Sequence, residues 1–396
     1  MHVEPAAVPG LPTEPRRPGV PGSRVTRIVA AMRAEGSLLL AVVSIVVVRL
    51  IAASPEIGEV GHFGVLTEVA LVYIFAVVVS AALGVVGHAE LLAEKYGEPY
   101  GTLILTLSAV TVEVVMLTTM VLHGDNNPTL ARDTIFATVM ILVNGLIGLS
   151  LLIGGLRYGE QRYNVKSSKV FLTMLFALTG LALLLPDVMT PAQEPRLEAF
   201  LVVASLALYG FFLHAQTRKL SHFFIFEGVA AIAQASDREV DIDQPSHISG
   251  AYHGTMLILT IVAMSVLVEY LSVALDDTIE VLHFPPQLPA LVIAIIIASP
   301  ESLTAIRAAL RNDMQRMFNI ALGSALSTIA LTVPVVLVIG FLVGRKIVLG
   351  LTPLQASVMV ISLLVASITE ADGSTSALEG MVQLVLFGAF LLVLFL

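Results

Sequence analysis

The feature that most constrains this chain is an apolar run with one acid in it. Tyr100–Leu122 reads YGTLILTLSAVTVEVVMLTTMVL, and Glu113 lies near its middle. A second run, Gln287–Leu310, carries Glu301 at a similar depth. Apolar runs of roughly 17–23 residues cross about 30 Å of hydrocarbon at about 1.5 Å per residue. A carboxylate at that depth is costly and marks a functional site by default.

The same apolar pattern recurs along the chain and predicts eleven spans, the first at Ser37–Ala53 and the last at Leu378–Leu396. The class is therefore an all-α integral membrane protein. Only 13% of the residues are charged and 57% are hydrophobic, whereas soluble domains carry roughly a quarter charged residues. With no cysteine, neither a disulfide framework nor a thiolate metal site is available. With no tryptophan, interfacial belts fall to Tyr and Phe. A net charge of −9 argues against nucleic acid as a partner. No Walker loop, HExxH, Rossmann glycine pattern or Ser/His/Asp ordering appears, so nothing points to an enzyme or to a cofactor.

Residues 1–36 contain the Pro/Gly-rich run VEPAAVPGLPTEPRRPGVPG. They read as a disordered cytoplasmic tail without a cleavable signal peptide. Arg16, Arg17, Arg24, Arg27 and Arg33 precede the first span and place the N-terminus in the cytoplasm. Arg157, Arg162, Lys166, Lys169, Arg218, Lys219, Arg307, Arg311 and Arg316 then fall on the same side. Arg345 and Lys346 fall on the wrong one, and a count of ten or twelve spans accommodates them. The tenth span, Ser357–Ile368, is short and starts as early as Leu351 on another reading.

Residues 37–60 form an extra first helix. The acidic cytoplasmic linker 217–250 separates five spans (61–216) from five more (251–396). An odd number of spans per half forces opposite orientations, the inverted-repeat pattern of secondary transporters, whose sites lie at the midplane. Within the linker, Asp237–Asp243 lacks the Gly and terminal Glu of a calcium-binding EF-hand loop and reads as solvated chain.

On the third span Thr102, Thr106, Ala109 and Glu113 share one helical face. That oxygen-lined track suits a hard cation, although threonines in spans also bond back to their own helix. In the eighth span, IIIASPESL places Pro300 beside Glu301, predicting a helix break that frees carbonyls; a packing kink with a paired Glu301 is the alternative. Ser324, Ser327 and Thr328 share a face of the ninth span and offer hydroxyls, or serve only as small packing residues. Glu90 and Glu269 stand toward opposite mouths as proton or vestibule acids. His88, His253 and His283 have no partner at metal-ligand spacing and receive no role.

Three runs resemble the cation/proton antiporters of the calcium/cation antiporter superfamily: AELLAEKYGEPYGTLILTLSAVTVEV, SPESLTAIRAALRNDMQRMFNIALGSALSTIALTVPVVL and DGSTSALEGMVQLVL. GGLRYGEQRYN resembles an internal loop of the same proteins, and the likeness is nearest to the bacterial ChaA-type branch. The resemblance implies sodium/calcium exchanger-like repeats and a Ca²⁺/H⁺ antiporter of the bacterial inner membrane that also accepts Na⁺ or K⁺. It gives Glu113 and Glu301 the places of the two cation-binding acids, and Asn144 that of a polar residue following the first signature. The family's Gly-Asn-Ala-Thr-Glu run is AVTVE here, and the Gly-Asn before the second acid is Ile297-Ala298.

Two carboxylates close together in low dielectric cannot both stay ionised without compensation. One divalent cation or two protons neutralise them, and the two loads exclude each other, which ties cation flux to opposite proton flux. The partners implied are membrane lipid, inorganic cations and protons. A passive cation channel built on the same acids is the competing class, distinguished by flux without proton exchange.

Overall fold

In the computed structural model the described residues are 22–52, 65–97, 100–123, 127–190, 192–218, 220–224 and 249–396. They fold into eleven helices: α1 (Gly22–Ala52), α2 (Val65–Tyr96), α3 (Tyr100–His123), α4 (Leu130–Tyr158), α5 (Val165–Val188), α6 (Glu194–Thr217), α7 (Gly250–Leu282), α8 (Leu288–Ala309), α9 (Met314–Val343), α10 (Pro353–Thr369) and α11 (Ala377–Leu394). Nine of these are long and apolar enough to cross a membrane, and α10 is a shorter apolar helix. The protein is thus an all-α, multi-pass membrane protein. The first helix starts at Gly22, inside the segment expected to be a disordered tail, because Pro21 is the last proline of the Pro/Gly-rich run and VTRIVAAMRAEGS contains no further proline. The segment Asp237–Asp243 lies outside the described residues.

Loop contacts sort the helix ends into two sets. At one end, two short strands distant in sequence form a hairpin-like pair, termed the hairpin, with Gln161 opposite Thr375 and Arg162 opposite Ser374 in antiparallel register. There Tyr158 donates to the Leu310 carbonyl (2.7 Å) and Gln161 to Asn312 (2.6 Å). At the other end, the Val348 N–H meets the Pro128 carbonyl at 2.9 Å and Gly350 packs on Asp187. Consequently α2 runs toward the hairpin end and α7 away from it, so the second set of five helices crosses in the opposite sense. The hairpin joins GGLRYGEQRYN to DGSTSALEG, two runs more than two hundred residues apart.

Arg345 and Lys346, which broke the charge rule, are both engaged. Arg345 donates to the last carbonyls of α3, those of Val121 and Leu122, which have no partner within their own helix. Lys346 pairs with Glu194 at 3.3 Å.

The described residues form two apolar cores. The smaller joins α1, α2 and α7 (Ala41, Val78, Ala82, Leu267, Leu271), while the larger joins α4, α5, α6, α9, α10 and α11 (Phe136, Phe171, Phe318, Phe390). Both acid-bearing helices lie between them. α3 gives Met116 and Met120 to the smaller core and Leu117 to the larger; α8 gives Ile293 and Ile296 to one and Ala294 and Ala298 to the other. Within the smaller assembly, His88 and His253 face each other with Nδ1 atoms 3.1 Å apart. Their separation of 165 residues hides this pair from any spacing rule.

Close approach of α4 and α11 depends on glycine. A Cβ at Gly380 would lie 2.4 Å from the Leu152 nitrogen, and one at Gly155 would lie 2.3 Å from the Ala377 nitrogen. Both obstacles are backbone, so the helices must separate. Gly380→Ala is expected to lower stability by about 1–3 kcal/mol. Thermal unfolding of the purified protein in detergent checks this, and an unchanged midpoint would contradict the packing argument.

Candidate cation-binding site

Glu113 is buried on α3, with 3% of its surface exposed. Thr328 of α9 donates its hydroxyl to Glu113 Oε2 at 3.1 Å, and Thr332, one turn on, sets a buried hydroxyl beside the same carboxyl. Glu113 Oε1 has no hydrogen-bond partner. Glu301 on α8 lies within electrostatic reach of Glu113, and its Oε2 is likewise buried without a partner. Among the described residues neither acid forms an ion pair with a basic side chain.

The threonines reach Glu113 from an irregular turn. α9 passes through a π-helical segment, Thr328–Thr332, just before Pro334. Pro334 cannot donate to the Ala330 carbonyl, and widening the turn absorbs that clash. A second π segment, Gly180–Leu184 in α5, precedes Pro186 in the same way. A third, Ile141–Leu146 in α4, contains Asn144. π turns leave the regular carbonyl ladder and recur at functional sites.

The expected break at Pro300 is not there. α8 continues from Leu288 to Ala309 with Pro300 inside it. Ser299 donates to the Ile295 carbonyl at 2.6 Å and Thr304 to that of Pro300 at 3.1 Å. Pro300 cannot donate to the Ile296 carbonyl, and a helix packed on both faces tolerates that one missing bond. The interruptions fall instead in α9, α4 and α5.

A cavity of about 370 Å³ reaches from Glu301 to the hairpin end. Pro300, Glu301 and Thr304 line it from α8, Thr106 and Ala109 from α3, and Glu90 from α2. Ser324 and Ser327 line it from α9, together with Arg316 and Asn319 nearer the hairpin loops. Tyr209 and Gln216 of α6 close the remaining side. Ser327 already donates to the Ser324 carbonyl at 2.9 Å, so its oxygen is left as an acceptor. Glu301 lines the cavity, whereas Glu113 does not.

The structure thus brings Glu113, Glu301, Thr106, Ser324, Ser327 and Glu90 into one region. Asn144 is fully buried in its π turn, donating to Met140 Sδ at 3.5 Å and keeping Oδ1 unpartnered, but it does not line the cavity. Glu269 lies on α7 and also stands apart from the cavity. The side chain of Thr102 falls outside the described residues. Sequence reasoning missed Thr332, Tyr209, Asn319 and Arg316. Thr332 is signalled by its i+4 spacing from Thr328. Arg316 counted only as a loop charge, whereas it lines the cavity and its charge reaches Glu90.

This arrangement can neutralise two acids with one load, either protons or a metal cation bound by oxygens. The family model described as "Sodium/calcium exchanger protein" matches residues 67–218 and 253–396. The "Sodium-potassium/proton antiporter ChaA" of Escherichia coli (strain K12) is 34% identical over 375 residues, covering 94% of this chain and 100% of that protein. The solved structure titled "Structure of native YfkE" shares the fold with a TM-score of 0.67 at 18% identity, covering 93% of this chain and 99% of that one. That titled "Crystal Structure of H+/Ca2+ Exchanger CAX" gives 0.62 at 15% identity, covering 91% and 88%.

Proposed function

The chain belongs to the sodium/calcium exchanger protein family, and from that premise we propose how it exchanges a cation for protons: by alternating access at Glu113 and Glu301. The observation that carries this reading is the pair of buried acids, each with an unpartnered oxygen and no basic partner among the described residues. Such a pair is stable only when loaded with compensating charge. Thr328 and Thr332 steady Glu113, while Thr106, Ser324 and Ser327 offer oxygens along the approach to Glu301. Asn144, whose buried Oδ1 is unpartnered, is a further oxygen ligand. Glu90 attracts cations at one mouth and Glu269 at the other.

The charge count favours Ca²⁺ as the exported cation, since two carboxylates balance one divalent ion or two protons. A second reading, Na⁺ or K⁺ against protons, is favoured by the likeness to a sodium-potassium/proton antiporter at 34% identity. Under that reading one acid stays protonated while the other holds the metal. We place the protein in a bacterial inner membrane with the hairpin end and the N-terminus in the cytoplasm, which makes the cavity inward-facing. Residues 61–216 and 251–396 act as the two inverted repeats.

Inverted vesicles containing the protein test the reading directly. A proton gradient imposed across them is expected to be dissipated by added Ca²⁺, with Na⁺ and K⁺ compared at equal ionic strength. A stronger response to Na⁺ or K⁺ selects the second reading. Cation uptake with no proton movement would assign a channel and overturn exchange.

A further inference from the structure

A second buried acid site lies at the hairpin end, away from the central cavity. Glu370 follows α10, has 2% of its surface exposed, and neither carboxyl oxygen has a hydrogen-bond partner. The fully buried Ser168 hydroxyl of α5 faces the carboxyl without closing a bond to it. Tyr163, 4% exposed, comes from the hairpin, where its N–H binds the Gly373 carbonyl at 3.1 Å. Its phenol oxygen is unpartnered, and Glu370 is among the acids it senses. Gln383 of α11 reaches the same corner by donating to Thr369 at 3.4 Å, leaving its buried carbonyl oxygen unpartnered. Glu370 and Ser367 also line a cavity of about 370 Å³ between α5 and α10, together with the exposed Lys169. None of these residues lines the central cavity.

Buried polar groups without partners are rare and call for a ligand, an ordered water or an ion. Four different elements bring buried, unpartnered oxygens to this corner. A protonated carboxyl donates one hydrogen bond and satisfies one of them; a hard cation, which takes several oxygen ligands at once, satisfies more. One carboxylate balances one positive charge. We propose that Glu370, with Ser168, Tyr163 and Gln383, forms a second, non-transporting site for a single monovalent cation such as Na⁺.

The charged and titratable groups around the site are Tyr163, Lys169, Asp372 and Glu379. Burial holds the Glu370 carboxyl well above the ordinary carboxylate range, opposed by Ser168 and reinforced by Glu379. Cation binding therefore competes with a proton and strengthens as pH rises.

The test uses the full chain carrying Glu113→Gln and Glu301→Gln, so that the central pair contributes no binding. Equilibrium binding of radioactive Na⁺ at pH 9 is expected to give one ion per chain, falling at pH 6. The thermal midpoint should be higher in Na⁺ than in N-methylglucamine at equal ionic strength. Adding Glu370→Gln should weaken binding more than about 100-fold, and Ser168→Ala about 10-fold. If the Glu370 variant does not fold, the Ser168 variant and the one-to-one stoichiometry decide. Absence of bound Na⁺ in the parent, or its persistence after Glu370→Gln, overturns the proposal. So does binding that emerges only with Lys169→Met, which would make Lys169 the counter-ion of Glu370.

Discussion

Glu113→Gln and Glu301→Gln are each expected to abolish proton-linked cation exchange, a loss of more than about 100-fold, while leaving the protein folded. Glutamine keeps the shape of the acid and still accepts the Thr328 hydroxyl at position 113. It removes the charge that the cation needs and the group that carries the proton. Because each acid lacks a basic partner among the described residues, neutralising it leaves no orphaned cation behind. Stability should therefore hold or rise, in contrast to the loss seen when a residue that supports packing is removed. Transport in vesicles and the thermal midpoint, measured on the same preparations, separate the two effects. Full exchange by either variant would sink the site assignment. Protons and cations compete for the same oxygens, so the cation concentration for half-maximal exchange should also rise as pH falls.

The largest stability effect is expected far from those acids. Arg132 and Asp133 are buried at the start of α4, with side chains only 10% and 4% exposed. Arg132 holds Asp133 through Nε and an amino group, both at 2.9 Å, and donates to the Gly350 carbonyl at 2.9 Å. Asp133 also receives Thr129 at 3.0 Å and Gln355 of α10 at 3.3 Å. The network ties α4 to the loop before α10 and to α10 itself. Arg132→Ala leaves a buried carboxylate without its counter-charge and should cost about 3–5 kcal/mol. Converting both residues together, Arg132→Met with Asp133→Leu, should recover most of that loss, since no charge is then stranded. Denaturant titration of the single and double variants checks the sign; a double variant as unstable as the single one would show that the hydrogen bonds, not the charges, hold the corner.

Much of the fold was legible because a bilayer leaves few options. Every span must satisfy its own backbone and present apolar side chains, so hydropathy alone located the helices, and basic loop residues predicted which ends lie together. The exceptions were legible only in space. Arg345 breaks the charge rule because it caps α3, a partner more than two hundred residues earlier that no loop count reveals. The helix break was misplaced for a related reason. Pro300 was the conspicuous proline in a span, yet α8 carries it without a break, whereas Pro334 and Pro186 lie just beyond widened turns. Whether a helix kinks, widens or carries on depends on the neighbours packed against it.

The sequence by itself determined that this chain is a polytopic helical membrane protein with two acids too costly to be incidental. Their price in hydrocarbon is a local property, readable from one residue and its twenty apolar neighbours. Only the tertiary structure decided what those acids face. Thr328 and Thr332 reach Glu113 from a helix two hundred residues later, His88 finds His253, and Glu370 meets buried oxygens from three other elements. Those relations depend on how inverted sets of helices interlock, and the distances that create them exist only after the chain has folded.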